Sequence, residues 1–163
     1  MTTFDVARRF DGRTVVDNLN QGDVDTTFVD VEVTSAQLLA LNATPVTIVA
    51  APGAGFALQF LYALLHKPAG TAYGGVATGE DLAIKYTNAA GATLGSCETT
   101  GFLDQATSQF RLTENYQFTT GVSDRTPLEN APLVLHLLLG EITTGDSPLR
   151  VRTFFRRMPV VLF

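Results

Sequence analysis

Apolar side chains recur along this chain in short runs, and nearly every run is closed by a glycine or a proline. Runs with β-branched, aromatic and leucine residues lie at 13–17, 28–33, 46–50, 57–65, 82–87, 93–99, 109–113, 133–139 and 150–156. Most are too short for an ordinary helix and long enough for a strand, and β-branched and aromatic residues suit a pleated, half-buried surface. Turn signals such as Pro52-Gly53, Gly74-Gly75, Gly140 and Pro148 separate them. The pattern predicts a mostly β chain, an antiparallel β-sandwich or jelly-roll-like single domain with one or two short helices.

Helical signals are few. Thr34 precedes Ser35-Ala36-Gln37-Leu38-Leu39-Ala40-Leu41, a hydroxyl cap before good helix formers, with Asn42 placed to end the turn. Residues 103–108, with Asp104 near their start, are a second candidate. The run 57–65 does not reveal its own period, but Gly55 before it and Pro68 after it favour a buried strand. The runs 133–139 and 149–155 flank a turn-rich connection ending in Gly145-Asp146-Ser147-Pro148, which reads as a hairpin of two long strands. On the second of these, Arg150 and Arg152 alternate with Val151 and Thr153, so both arginines should leave one face.

Charge divides the chain. Residues 1–33 hold seven acids (Asp5, Asp11, Asp17, Asp23, Asp25, Asp30, Glu32) against three arginines, whereas 149–163 hold Arg150, Arg152, Arg156 and Arg157 and no acid. Segments of opposite sign can pair within one chain or between neighbouring chains. Residues 1–30 are polar and poor in large apolar side chains, so they form an N-terminal arm or edge segment, with the β domain over 31–163.

The totals narrow the function classes. A length of 163 residues suits one domain, and 45% hydrophobic with 17% charged residues is a globular composition. The net charge of −5 opposes sequence-independent binding to nucleic acid, which needs Lys and Arg to neutralise phosphates. No apolar run approaches the ~20 residues of a membrane helix, and the N-terminus shows no apolar signal core, so neither a membrane span nor secretion by that route is expected.

Reactive chemistry is sparse. Ala51-Pro52-Gly53-Ala54-Gly55-Phe56 has the glycines of a phosphate loop, but Phe56 and Ala57 stand where Lys and a hydroxyl residue are required. A tight turn is the better reading. The two histidines, His66 and His136, sit in separate apolar runs, and the carboxylates, Glu80-Asp81, Glu98 and Asp104 among them, follow no metal-ligand or glycosidase pattern. Cys97, the single cysteine, falls in a candidate strand and reads as a small buried hydrophobe. No enzyme activity, metal or cofactor is expected.

Several segments together resemble small structural proteins of tailed bacteriophages and prophages. They are Val33-Thr34-Ser35-Ala36-Gln37-Leu38-Leu39-Ala40-Leu41-Asn42-Ala43-Thr44-Pro45, then Ala50-Ala51-Pro52-Gly53-Ala54-Gly55, Ala72-Tyr73-Gly74-Gly75, Leu82-Ala83-Ile84-Lys85-Tyr86-Thr87 and Glu98-Thr99-Thr100-Gly101-Phe102-Leu103-Asp104. The likeness ends with Pro132-Leu133-Val134-Leu135 and the last strand, and so runs over residues 31–157. Proteins of this type carry Lys after Pro-Gly-Ala-Gly, where this chain has Phe56.

The resemblance implies a capsid decoration (cement) protein, a homotrimer on the capsid surface of the virion, partnered by the major capsid protein and touching neither nucleic acid nor membrane. Under it Asp5, Arg8, Arg9 and Phe10 of the arm, with Arg150, Arg152, Arg156 and Arg157, are the candidate subunit or capsid contacts. The alternative is a trimeric tail-fibre or tail-associated receptor- or glycan-binding module, which predicts an exposed aromatic patch.

Overall fold

The computed structural model describes residues 26–113 and 127–160. Along the chain they form β1 (Thr26–Val33), α1 (Ser35–Leu39), β2 (Val46–Val49), β3 (Phe56–Lys67), β4 (Leu82–Tyr86), β5 (Thr93–Cys97), β6 (Gln109–Thr113), β7 (Leu133–Leu137) and β8 (Leu149–Pro159). The expected strand at 13–17 lies outside the described residues, as do Asp5, Arg8, Arg9 and Phe10 of the arm. The other eight expected strands are present, with ends shifted by a few residues. Among the described residues β1 spans Thr26–Val33 and takes in residue 30.

Two four-stranded antiparallel sheets build the domain, one in the order β1-β8-β3-β6 and the other β2-β7-β4-β5. The antiparallel pairs β4–β5, β3–β6, β2–β7 and β1–β8 are nested one inside the next. The chain therefore follows one long hairpin rolled into two layers, the eight-stranded jelly roll. Lateral pairing of β8 with β3 and of β7 with β4 completes each sheet.

The core lies between the sheets. Leu58, Phe60, Ala63 and Leu65 of β3 and Leu149 and Val151 of β8 meet Ile84 and Tyr86 of β4 and Leu133 and Leu135 of β7, all buried. A bulge between Phe60 and Tyr62 changes which side chains of β3 face inward, from the even positions Leu58 and Phe60 to the odd positions Ala63 and Leu65. The buried Tyr86 hydroxyl donates to the Leu58 carbonyl, which ties one sheet to the other.

α1 is a single capped turn. The Thr34 side chain accepts from the Gln37 N–H, while the Gln37 side chain accepts from the Thr34 N–H. This reciprocal box satisfies donors that the first turn leaves open. Leu38 is its buried residue, and it anchors the turn to the core.

Two sequence expectations fail. Residues 103–108 form turns, because the N–H groups of Phe102 and Leu103 both bond back to Thr99 O and no helical ladder follows. β7 and β8 do not form a hairpin: β7 pairs with β2 and β4, β8 with β1 and β3, in different sheets. The connection crosses the end of the sandwich, and there Asp146 accepts from Thr71 N–H and Oγ1–H while Tyr73 donates to Ser147 O.

Candidate assembly face

The outward side of the β1-β8-β3-β6 sheet carries an exposed apolar surface beside two ion pairs. Strand pairing sets its side chains in rows across the sheet. One row holds Phe28, Phe154 and Tyr62; the next Asp30, Arg152, Leu64 and Leu112; the third Glu32, Arg150, His66 and Phe110. Phe28, Phe110 and Leu112 are 51%, 58% and 59% exposed. Tyr62 and Leu64 are also open to solvent. A contiguous apolar surface on a rigid sheet is a common mark of a docking site.

The rings are ordered. Tyr62 stacks on Phe154 at 4.4 Å between centroids with planes 23° apart, and Phe28 tilts against Phe154 at 5.7 Å. His66 stacks on Phe110 at 4.1 Å, with its Nε2 3.0 Å from Ser108 Oγ. Tyr62 and Phe154 thus cover one face of each other, as do His66 and Phe110. Such aromatic ladders hold their shape without a partner.

The arginines are committed within the chain. Arg152 donates to Asp30 through Nε and Nη2, at 2.7 Å each, and also covers the Phe28 ring at 4.6 Å. Hydrogen bonding from Arg152 holds the Asp30 carboxyl below its usual range, and Asp30 in turn raises Arg152. Arg150 donates to Glu32 at 3.1 Å. Arg156 Nε donates to Thr26 Oγ1 at 3.2 Å. The acidic and basic segments thus meet between β1 and β8, and a partner would find pairs more than bare charge. Arg157 is turned elsewhere: its guanidinium covers the Phe56 ring and its Nε donates to Pro52 O at 3.3 Å. Arg150, Arg152 and Arg156 share the face; Arg157 does not.

The opposite sheet presents no comparable surface. Its outward positions Ala83, Lys85, Val134 and His136 are all buried. His136 Nε2 lies 3.0 Å from Asn42 O and donates to it, and Asn42 Nδ2 donates to Leu137 O. Desolvation, helped by the nearby Lys85 charge and opposed by the Asn42 bond, lowers the His136 pKa. His66 and His136 therefore sit on different sheets and do not converge.

The Pro-Gly turn is closed by the chain itself. Gly53 and Gly55 take positive φ, +94° and +80°. Their N–H groups donate to Asn130 Oδ1 and Glu129 Oε1. A carboxylate thus occupies the amides that a phosphate would need. Burial pushes the Cys97 thiol up to about 11, which keeps it protonated and a poor nucleophile at neutral pH. Among the described residues no group of three or more His, Cys, Asp or Glu side chains is placed to hold a metal, and no helix is long and apolar enough to cross a membrane.

The exposed apolar face is what sequence reasoning missed. Phe28, Tyr62, Phe110 and Phe154 lie in strands that were expected, but their outward direction is set by pairing and by the β3 bulge. The available signal was the alternation of β6, where Phe110 and Leu112 share one side and Arg111 and Thr113 the other.

No protein-family description matches the chain, and no curated protein matches it in sequence. Among solved structures, a chain of "Cyanophage Pam1 capsid asymmetric unit" is similar over 84% of this chain and 86% of that one, with a TM-score of 0.47 and 17% identity.

Proposed function

We propose that this chain is a virion structural protein that binds the outside of an icosahedral phage capsid and stabilises the shell, with no catalytic activity of its own. The observation that carries a docking role is the ordered apolar face of the β1-β8-β3-β6 sheet, opposite a sheet whose central outward positions on β4 and β7 are buried. The capsid as partner rests on the phage-protein resemblance of residues 31–157. A protein that binds only the assembled shell stabilises it by mass action, and many copies repeat a modest contact over the whole surface. The same resemblance carries the homotrimer and the major capsid protein as partners.

The experiment is co-sedimentation of the purified chain with shells lacking it, followed by thermal disruption of the shells. Wild-type protein should pellet with the shells and raise their disruption temperature. The double variant Phe110→Asp/Leu112→Asp should stay folded by circular dichroism and remain in the supernatant. Failure of the wild-type chain to bind at micromolar concentration would remove the capsid from the reading.

The exposed aromatic row is also what a tail-associated glycan-binding module predicts. Sugar rings stack on open aromatic faces, whereas Tyr62 and Phe154 spend theirs on each other and Phe28 is covered by Arg152. Antibody labelling of virions separates the two, over the head for decoration and at the tail for the alternative.

A further inference from the structure

We infer that the outer edge of β1 is a contact between two copies of this chain, in which β1 pairs antiparallel with β1 of its partner about a two-fold axis at Phe28. The inference does not rest on the capsid assignment and is tested on the free protein.

Among the described residues the sheets end in β1, β6, β2 and β5, and β2 and β5 are short, with four and five residues. Shortness is one way in which proteins blunt a free edge. β1 is different. It runs eight residues in unbroken register with β8, without proline or bulge, its acids Asp30 and Glu32 are paired with Arg152 and Arg150, and among the described strands it pairs with β8 alone. Its first half is open on both sides of the sheet. Phe28 is exposed on the outward side, and Thr27 and Val29, which point the other way, are exposed as well, Val29 to 37%. A regular edge with bare β-branched and aromatic residues on both faces is a template for another strand.

Of the registers centred on Phe28, Val29 and Asp30, one suits a second copy. A two-fold axis perpendicular to the sheet keeps each outward side chain opposite an outward one, so the axis passes through a residue and its own mate. Centring on Asp30 would oppose two carboxylates, which is unfavourable for directly facing like charges. Centring on Val29 would set Asp30 against the partner's Phe28. With Phe28 at the centre, the row Tyr62–Phe154–Phe28 continues without a break into the partner's Phe28, Phe154 and Tyr62. On the other side, Thr27 faces the partner's Val29, a β-branched pair that covers both.

Charge agrees with this register. Thr26 falls opposite the partner's Asp30, and Arg156 already leans over Thr26 through its Nε bond. Neighbouring strands are ~4.8 Å apart, so the Arg156 guanidinium reaches across Thr26 to the partner's Asp30. That carboxylate keeps lone pairs free after its two bonds to Arg152 and can accept from both arginines. A threefold contact elsewhere is compatible, since it would leave each β1 edge free to link one trimer to the next.

Sedimentation of the wild-type chain and cross-linking of single-cysteine additions test the contact. Across such a pair Cβ atoms approach to ~4.5–5.5 Å, close enough for a short bis-maleimide bridge. Phe28→Cys should give a covalent dimer on non-reducing gels, Val31→Cys should not, and the wild-type chain, whose Cys97 is buried, is the blank. Phe28→Asp should raise the dissociation constant of self-association by more than about tenfold with an unchanged circular dichroism spectrum. A wild-type chain that sediments as a monomer at every concentration up to the millimolar range overturns the inference, and that measurement needs no variant to fold. Self-association without cross-linking at Phe28→Cys overturns it equally.

Discussion

Asp30 and Arg152 face each other across β1 and β8 and are joined by two hydrogen bonds of 2.7 Å each, although the pair stands in solvent. The geometry is the bidentate fork that fixes direction as well as distance. Because both groups are open to water, its main effect is to orient the side chains around Phe28 and not to hold the fold together.

Asp30→Asn should therefore barely change the melting temperature at neutral pH. The wild-type carboxyl is held low, so the contribution of the pair is present above the unfolded carboxylate pKa of 3.8 and fades as pH falls through the lower folded value. Thermal melts of both proteins between pH 2 and 7 check this: the curves should converge at the acid end, and added salt should narrow the neutral-pH difference.

Phe60 and Phe110 provide a sharper contrast. Phe60 is fully buried between the sheets, and Phe60→Ala should cost about 3–5 kcal/mol in urea denaturation. Phe110→Ser removes a half-exposed ring and should change stability by roughly 0.5 kcal/mol or less, while weakening whatever docks on the face. A comparable loss at both positions would mean that the face is structural.

His136 gives the fold a dependence on mild acid. Its pKa is lowered in the folded chain, so the unfolded chain takes up the proton first. Stability is whole above the ordinary value of 6.5, declines as pH drops below it, and levels off once pH passes below the lowered folded value. Charging His136 would also place it against Lys85. His136→Gln should flatten this step in urea midpoints measured from pH 7.5 to 4.5.

Gly145 sits at φ +122°, and a Cβ there would fall 2.4 Å from the Tyr73 ring. Gly145→Ala therefore adds backbone strain to a clash with a buried side chain. It should cost about 1–3 kcal/mol by chemical denaturation. Thr34→Ala removes the hydroxyl that caps α1 and should cost about 1 kcal/mol.

The strands were legible because each one alternates or is apolar throughout, and because glycine and proline mark their ends. The capped turn at Thr34 was legible for the same local reasons. What local pattern could not supply was partnership. β7 and β8 are neighbours in sequence with a turn-rich connection, yet the jelly roll sends them to different sheets, and nothing in either strand encodes that. The apolar face was hidden for a related reason. β3 reads Phe-Ala-Leu-Gln-Phe-Leu-Tyr-Ala-Leu-Leu-His-Lys, apolar on both sides, and the bulge at Leu61 changes its phase midway. Tyr62 and Leu64 therefore looked like core. The charge asymmetry between residues 1–33 and 149–163 was visible, but only the β1–β8 register shows that Asp30 and Glu32 satisfy Arg152 and Arg150 at home.

The rolled hairpin also orders events during synthesis. β8, the last of the described strands, lies in the middle of its sheet, flanked by β1 and β3. Until it leaves the ribosome, that layer has no seam, and Arg150 must find Glu32 across 118 residues of chain. Nascent chains ending before Leu149 would display two unmatched strand edges at once. Such contacts between remote segments slow folding and leave sticky intermediates. The β1-β8-β3-β6 sheet should thus close abruptly, and only once β8 has been made.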